Sequence, residues 1–176
     1  MIDRAAPVVV AAIAAGLAAA VATRHLVWLT RVESWSMAPT LRPGSLLVTW
    51  RLGPSDRVRR GEIVVIRSAE FGRRIVKRIV GLPGETVVVD GRGVTVDGVR
   101  LAEPYVVADG GPEGSFTVPD GAYLVLGDDR ARSSDSRSWQ KPFVAHAAIE
   151  GRWITTLWPR PSAAACRPAS AGHRRP

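Results

Sequence analysis

The feature that most constrains the fold is a series of short strand-like runs that begins at Ser45. Val, Ile, Thr and aromatic residues dominate these runs, and turn signals such as Pro83-Gly84 separate them. Several short strands at close spacing predict a mostly β fold, compact and antiparallel, of packed-sheet or barrel type. The predicted strands are Ser45–Trp50, Glu62–Arg67, Arg74–Val80, Thr86–Asp90, Val94–Val96, Phe116–Val118, Tyr123–Leu126 and Ala148–Thr156.

The only strongly helical stretch is Ala5–Ala22, which has 18 uncharged residues rich in Ala and Val. As a helix it would be roughly 27 Å long, close to the hydrocarbon core of a bilayer at about 30 Å. We therefore predict one N-terminal transmembrane helix within residues 1–30, with Trp28 at the headgroup level. Two alternatives stay open, namely a signal peptide cleaved after Ala20-Val21-Ala22 and a buried soluble helix.

The charge and the metal-ligand inventory exclude several classes of function. The net charge of +8 is compatible with nucleic acid or with an anionic membrane surface. The basic residues form no periodic helical face, and aromatic residues are not interleaved with them, so we expect no nucleic-acid partner. The single cysteine, Cys166, excludes an intramolecular disulfide, and the three histidines are scattered. We expect no metal and no cofactor.

Lysine is rare in this chain, which draws attention to the two that are present. Only Lys77 and Lys141 occur among 24 basic residues. Arginine stays protonated in proteins, whereas a buried lysine loses its proton near neutral pH. Lys77 lies within the apolar run Ile75–Val80 and next to Arg78, so it is a candidate for chemistry. The alternative is a lysine that extends from a strand to solvent.

Four segments follow one another along the chain, and their combination is more specific than any single segment. The first, Glu33–Leu41, contains Ser-Trp-Ser-Met-Ala-Pro-Thr-Leu and could by itself be a turn. The others are Arg60–Ile66, Val76–Glu85 (VKRIVGLPGE) and Gly127–Arg137 (GDDRARSSDSR). Together they resemble the boxes of the type I signal peptidase family, Ser/Lys-dyad proteases that remove signal peptides. The resemblance extends from about Glu33 to Pro159.

The resemblance implies a domain organisation and a location. Residues 31–159 would form the signal-peptidase-like catalytic β domain, with a hairpin-rich insertion between Gly84 and Pro119. Residues 160–176 are basic and rich in proline, and we predict a disordered tail. The family places its catalytic domain on the extracytoplasmic side of the cell membrane, held by a single-pass anchor. The arginines that flank Ala5–Ala22 do not favour this orientation, so it rests on the resemblance.

The resemblance also implies the catalytic roles. Ser36 would be the nucleophile and Lys77 its general base, which requires that the neutral amine be populated. The apolar neighbours of Lys77 would lower its pKa through desolvation. The oxyanion hole would consist of the backbone N–H of Ser36 and the hydroxyl of Ser34. A local turn or capping bond is the alternative for Ser34.

Further residues match positions around this dyad. Ser133 matches a serine that hydrogen-bonds the lysine head, Asp135 and Arg137 match a pair that holds the segment near the dyad, and Arg78 would support them. An ordinary surface ion pair is the alternative for Asp135 and Arg137. Met37 would line the substrate pocket, unless it is a plain core methionine.

Two positions depart from the family pattern. Trp35 stands where Gly is common, and Asp129 stands where Asn is common. We expect Trp35 to alter contact with the surface or with lipid. We expect Asp129 to add a negative charge near the site, which would raise the pKa of Lys77.

The implied partners are precursor proteins that bear signal peptides, together with membrane lipid. Cleavage after small-x-small sites would proceed through an acyl-enzyme. A relative dedicated to one precursor and a catalytically idle, membrane-tethered binding module are the alternatives.

Overall fold

A computed structural model describes residues 8–9, 13–14, 16, 26–107 and 109–158 of the chain. Most of the predicted anchor Ala5–Ala22, the possible cleavage site at Ala22 and the predicted tail 160–176 lie outside the described residues. Within the described part of the chain, no helix is long and apolar enough to cross a bilayer. The transmembrane helix therefore stays a prediction.

Eleven strands are described, and every pairing between them is antiparallel. They form a seven-stranded sheet in the order β1-β2-β11-β3-β4-β9-β10 and a four-stranded sheet in the order β7-β6-β5-β8. A short 3-10 helix, His146–Ala148, precedes β11. The strands are β1 Val27–Arg31, β2 Leu46–Arg51, β3 Ile63–Ser68, β4 Arg73–Gly81, β5 Thr86–Asp90, β6 Gly93–Val96, β7 Val99–Arg100, β8 Gly114–Thr117, β9 Ala122–Leu126, β10 Phe143–Ala145 and β11 Ile149–Trp158.

The predicted mostly β, antiparallel fold is confirmed. All eight predicted strands are present, each with ends within two residues of those predicted. β7 and β10, which have two and three residues, were not predicted. β1 was not predicted either, since its residues adjoin the apolar N-terminal stretch. It pairs with β2 from Val27↔Trp50 to Arg31↔Leu46, so the sheet begins four residues before the boundary predicted at residue 31.

The four-stranded sheet is the insertion predicted between Gly84 and Pro119. In β5 alternate residues are buried, and Val87 and Val89 face inward. They pack with Val94 and Val96 of β6 against residues of the main sheet. The main-sheet residues of this cluster include Val80, Leu124 and Leu126. The two sheets therefore share one apolar layer.

β4 lies where both of its faces are covered. Its burial rises along the strand, from the exposed Arg73 to the fully buried Val80 and Gly81. It pairs with β3 over most of its length and with β9 at its end. As a result Lys77 and Arg78, two charged residues, lie in the interior of the domain with exposures of 5% and 8%.

We predict that Gly81→Ala destabilises the domain by about 1–3 kcal/mol, because a β-carbon there would overpack the layer between the sheets. That atom would lie 2.8 Å from Val87 and 2.9 Å from both Leu124 and Val118. Urea denaturation should show a lower midpoint. Gly53→Ala is the control, since its nearest contact would be Asp56 at 3.5 Å. Equal midpoints for the two variants would contradict the packing.

Candidate active site

The loop that carries Ser36 is held by its own apolar residues. Met37 and Leu41 are each 1% exposed and pack with Val32, Leu47 and Ile63 in a core cluster. Two backbone hydrogen bonds tighten the loop, from the Ala38 N–H to Trp35 O and from the Leu41 N–H to Met37 O. Met37 is thus a core residue, and it also lines the cleft above the loop. Its contact with substrate stays a prediction.

The structure brings Ser36 and Lys77 together. Nζ of Lys77 lies 2.7 Å from Oγ of Ser36, although 41 residues separate them. Both side chains are buried, with exposures of 6% for Ser36 and 5% for Lys77. The distance allows direct proton transfer between the hydroxyl and the amine.

Burial lowers the pKa of Lys77 from its ordinary value of 10.5 to about 8. The desolvated interior penalises the charged ammonium, which is the largest cause. The carboxylates of Asp135 and Asp128 act in the opposite direction, while the guanidinium groups of Arg73 and Arg137 lower the pKa further. A substantial fraction of the amine is therefore neutral at mildly alkaline pH.

Ser34 is exposed at the mouth of the site. Its Oγ lies 3.1 Å from Oγ of Ser36. A hydroxyl beside the nucleophile can donate to an oxygen that becomes negatively charged on a carbon bonded to Ser36. The position fits an oxyanion donor, and that role stays a prediction.

Asp128 joins three separate segments of the chain through one buried carboxylate. Arg78, next to Lys77 on β4, donates to both of its oxygens at 2.7 and 2.6 Å. Thr40, in the Ser36 loop, donates to it at 2.6 Å. Asp128 itself is fully buried. We call Thr40, Arg78 and Asp128 the carboxylate clamp.

Of the three clamp residues, the sequence predicted a supporting role only for Arg78 and gave none to Asp128 or Thr40. Both lie inside the motifs, in GDDR and in APTL, so the signal was present. What the sequence alone did not show is that the two motifs meet. The Arg78 guanidinium also lies 3.8 Å from the centroid of the Tyr105 ring, and Nη1 donates to Gly61 O.

Asp135 and Arg137 form a buried ion pair, with side-chain exposures of 0% and 1%. The surface ion pair considered for them is therefore wrong. Arg137 also donates to the carbonyls of Gly110 and Arg130, and Asp135 accepts from the Gly127 N–H at 3.0 Å. This network shapes the loop from Gly127 to Arg137 that follows β9.

A second buried pair supports the same loop and was missed from sequence. Arg130 donates to both oxygens of Glu103 at 3.0 and 2.6 Å, with side-chain exposures of 3% and 7%. The Tyr105 hydroxyl donates to Glu103 as well. Glu103 stands in the irregular segment between β7 and β8, where no periodic pattern indicated a role.

The hydrogen bond expected between Ser133 and Lys77 is absent. Oγ of Ser133 is buried and has no hydrogen-bond partner in the described part of the chain. Ser133 packs against Gly127, where an added β-carbon would collide with Ser133 and with the Ser36 carbonyl. The serine is near the dyad, but the contact that would orient the lysine is not made.

Asp129 is not among the largest causes of the shifted pKa of Lys77, so the expected rise is not a main effect. The reason is local pairing, because Arg132 donates to Asp129 Oδ2 through Nε at 2.7 Å and forms an ion pair with it through Nη2. Trp35, the other departure, is 52% exposed.

A cleft of about 520 Å³ opens over the dyad. Ser34, Ser36, Met37 and Lys77 line it, together with residues of β1 and β4. Among the described residues no group of three or more His, Cys, Asp or Glu side chains could hold a metal ion. A serine hydroxyl beside a buried amine of lowered pKa is what a serine hydrolase with a lysine base requires.

Comparison with known proteins identifies the family. The signal peptidase family, peptidase S26, matches residues 5–158, and the chain belongs to it. A probable signal peptidase I-2 of Synechocystis sp. is 40% identical over 140 residues, which cover 74% of this chain and 62% of that protein. The signal peptidase I of Leptolyngbya laminosa is 36% identical, over 73% of this chain and 67% of that protein.

A solved structure is also similar. The signal peptidase I of Enterococcus faecalis matches with a TM-score of 0.49 at 35% identity, and the match covers 57% of this chain and 98% of that one. The chain spans about three fifths to two thirds of the length of the two curated relatives.

We predict that Asp128→Ala costs about 3–5 kcal/mol of unfolding free energy, because it leaves the Arg78 guanidinium buried without its counter-ion. Chemical denaturation monitored by circular dichroism measures the loss. Asp120→Ala removes an exposed carboxylate and serves as the matched control. Similar midpoints for both variants would show that the clamp does not hold the domain together.

Proposed function

We propose that the protein is a serine endopeptidase that removes signal peptides from translocated precursor proteins, cleaving after small-x-small sites. The observation that carries the proposal is the 2.7 Å contact between Ser36 and a buried Lys77. Membership of the signal peptidase family supports the reaction class and the substrate class. Shallow apolar walls, which Val32, Met37 and Val76 supply next to the dyad, suit alanine side chains.

The proposed chemistry uses one base twice. Neutral Lys77 takes the proton of Ser36 as Oγ attacks the scissile carbonyl, and the resulting ammonium returns it to the leaving amine. The Ser36 N–H and the Ser34 hydroxyl stabilise the oxyanion, each donor worth about 3 kcal/mol. The acyl-enzyme on Ser36 is then hydrolysed by a water molecule that Lys77 deprotonates.

The proposal places the enzyme at the cell membrane, with a single-pass anchor that contains Ala5–Ala22 and precedes β1, and with the β domain on the extracytoplasmic side. The uncharged stretch Ala5–Ala22 supports the anchor. A substrate whose signal segment lies in the bilayer would then present its cleavage site near the membrane surface.

Ser36→Ala and Lys77→Arg should each lower precursor cleavage by at least about a thousandfold. Lys77→Arg is the sharper test, since arginine keeps the positive charge but does not release its proton. The assay is cleavage of a precursor bearing an Ala-x-Ala site by detergent-solubilised protein. Lys141→Arg, at the other lysine, is the control and should retain activity. Robust cleavage by Lys77→Arg would exclude the lysine base.

A serine-directed covalent inhibitor separates the enzyme from an idle binding module. It should label the parent protein at Ser36 and fail to label Lys77→Arg, while circular dichroism shows both folded. An unreactive Ser36 in a well-folded parent protein would favour the module.

The rate should follow the protonation of Lys77. Only the neutral amine accepts the proton, so kcat/KM should rise with pH, reach half its maximum near pH 8 and level off above it. Arg73→Gln removes a cation that lowers this pKa, so the midpoint should move to higher pH. Arg92→Gln, an exposed arginine in the four-stranded sheet, should leave the midpoint in place. A profile that is flat from pH 7 to roughly pH 9 would refute the assignment.

A further inference from the structure

The cleft over the dyad carries more positive than negative charge. Arginines from three segments line it, namely Arg31 of β1, Arg73 and Arg74 of β4, and Arg132 of the loop after β9. Glu33 is the one carboxylate among the lining residues of this cleft. When Lys77 is neutral, the lining side chains still sum to a positive charge, although the carboxylates of Glu150 and Asp129 behind the lining compensate Arg74 and Arg132. A cleft that has low-dielectric walls and an excess of one charge attracts ligand groups of the opposite charge.

Arg73 and Arg74 are also paired and exposed, but Arg132 differs from them because its carboxylate partner is almost fully buried and an aromatic ring lies beside it. Nε and Nη2 point to one oxygen of Asp129, which is only 2% exposed. The guanidinium carbon lies 5.7 Å from the centroid of the Trp35 ring. The Arg132 side chain is nevertheless 63% exposed. A guanidinium ordered before binding loses less entropy when it binds a ligand.

This group of three residues, Trp35, Asp129 and Arg132, is connected directly to the nucleophile. Trp35 lies between Ser34 and Ser36 in the chain. The Asp129 N–H donates to the carbonyl of Ser36 at 3.1 Å. Arg132 and Ser36 also line the same cleft, so a polypeptide bound there with its scissile bond at Oγ of Ser36 shares that cleft with the guanidinium of Arg132.

We propose that Arg132, ordered by Asp129 and Trp35, is a specificity-determining residue that binds an acidic side chain of the precursor close to the scissile bond. The same charge disfavours a basic side chain at that position. The inference rests on the proposed function and extends it to the charge of the substrate. A carboxylate suits the free edge of a guanidinium because charge-assisted N–H···O bonds form there.

The interaction discriminates by repulsion as well as by attraction. A lysine of the substrate placed beside Arg132 meets a fixed like charge, with Arg73 in the same cleft, whereas a glutamate gains a partner. Because the site is open, salt should weaken both effects, since charges are screened over about 8 Å at physiological ionic strength. A preference that depends on charge and on salt is what distinguishes this contact from shape recognition.

The test uses the full chain in non-ionic detergent without anionic lipid. Peptides with one Ala-x-Ala site carry Glu, Gln or Lys at a single position, which is varied on each side of the scissile bond. At one or two adjacent positions, kcat/KM should be roughly tenfold higher for Glu than for Lys, with Gln between them. Raising the salt concentration from 50 to 500 mM should reduce that ratio to below roughly threefold.

Variants assign the preference to Arg132. Arg132→Gln should lower the Glu/Lys ratio to below roughly threefold. Arg132→Lys keeps the charge without the planar contact to Asp129, and it should show an intermediate ratio. Arg92→Gln removes an exposed positive charge outside the cleft and should leave the ratio unchanged.

The outcomes separate this inference from the proposed function. Cleavage of all peptides at equal rates would overturn the inference and leave the function standing, as would a ratio that survives Arg132→Gln. A ratio that appears only when anionic lipid is added would assign Arg132 to lipid and also overturn it. Absence of any cleavage would overturn the function. In that case the affinities of labelled Glu and Lys peptides for Ser36→Ala test the inference independently. Equal affinities would overturn the inference.

Discussion

The buried carboxylate of Asp128 is the constraint on which the geometry of the site depends. A charge that is fully removed from water must keep its partners, because losing one leaves an uncompensated ion in the interior. The partners of Asp128 are Arg78 on β4 and Thr40 in the nucleophile loop. Lys77 is the neighbour of Arg78, and Ser36 precedes Thr40 by four residues. Backbone motion that moves β4 away from the nucleophile loop therefore also strains the clamp.

The same ion pairs limit how far the buried carboxylates raise the pKa of Lys77. Asp128 and Asp135 by themselves would hold the proton on its amine, but each is paired with an arginine, Arg78 or Arg137. With the carboxylates compensated, desolvation is the largest effect on the pKa. The ion pairs that stabilise the domain therefore also affect the pKa of Lys77. Weakening either pair changes the field at the amine as well as the stability of the loop.

The features that the sequence predicted correctly depend on local patterns along the chain. Eight of the eleven described strands and the insertion of β5 to β8 follow from alternation and turn residues, and Ser36 and Lys77 follow from the motifs around them. What it missed depends on contacts between distant segments. Whether Asp128 meets Arg78 and Thr40, and whether Ser133 reaches Lys77, is decided by how the Gly127–Arg137 loop packs on β4. No pattern along one segment reports that packing.

Trp35 and Asp129, the two departures from the family pattern, also act through contacts that the sequence alone does not show. Read one at a time, Trp35 suggests contact with lipid and Asp129 suggests a charge on the base. In the folded chain they act on one side chain, because Arg132 is paired with Asp129 and lies over the ring of Trp35. The carboxylate is thereby neutralised before it influences Lys77, and a guanidinium is fixed beside the nucleophile. Since Asp129 is buried and Arg132 is largely exposed, the pair leaves its positive side toward the cleft. Asp129 therefore orders Arg132 at the entrance to the dyad, while its carboxylate also compensates part of the guanidinium charge.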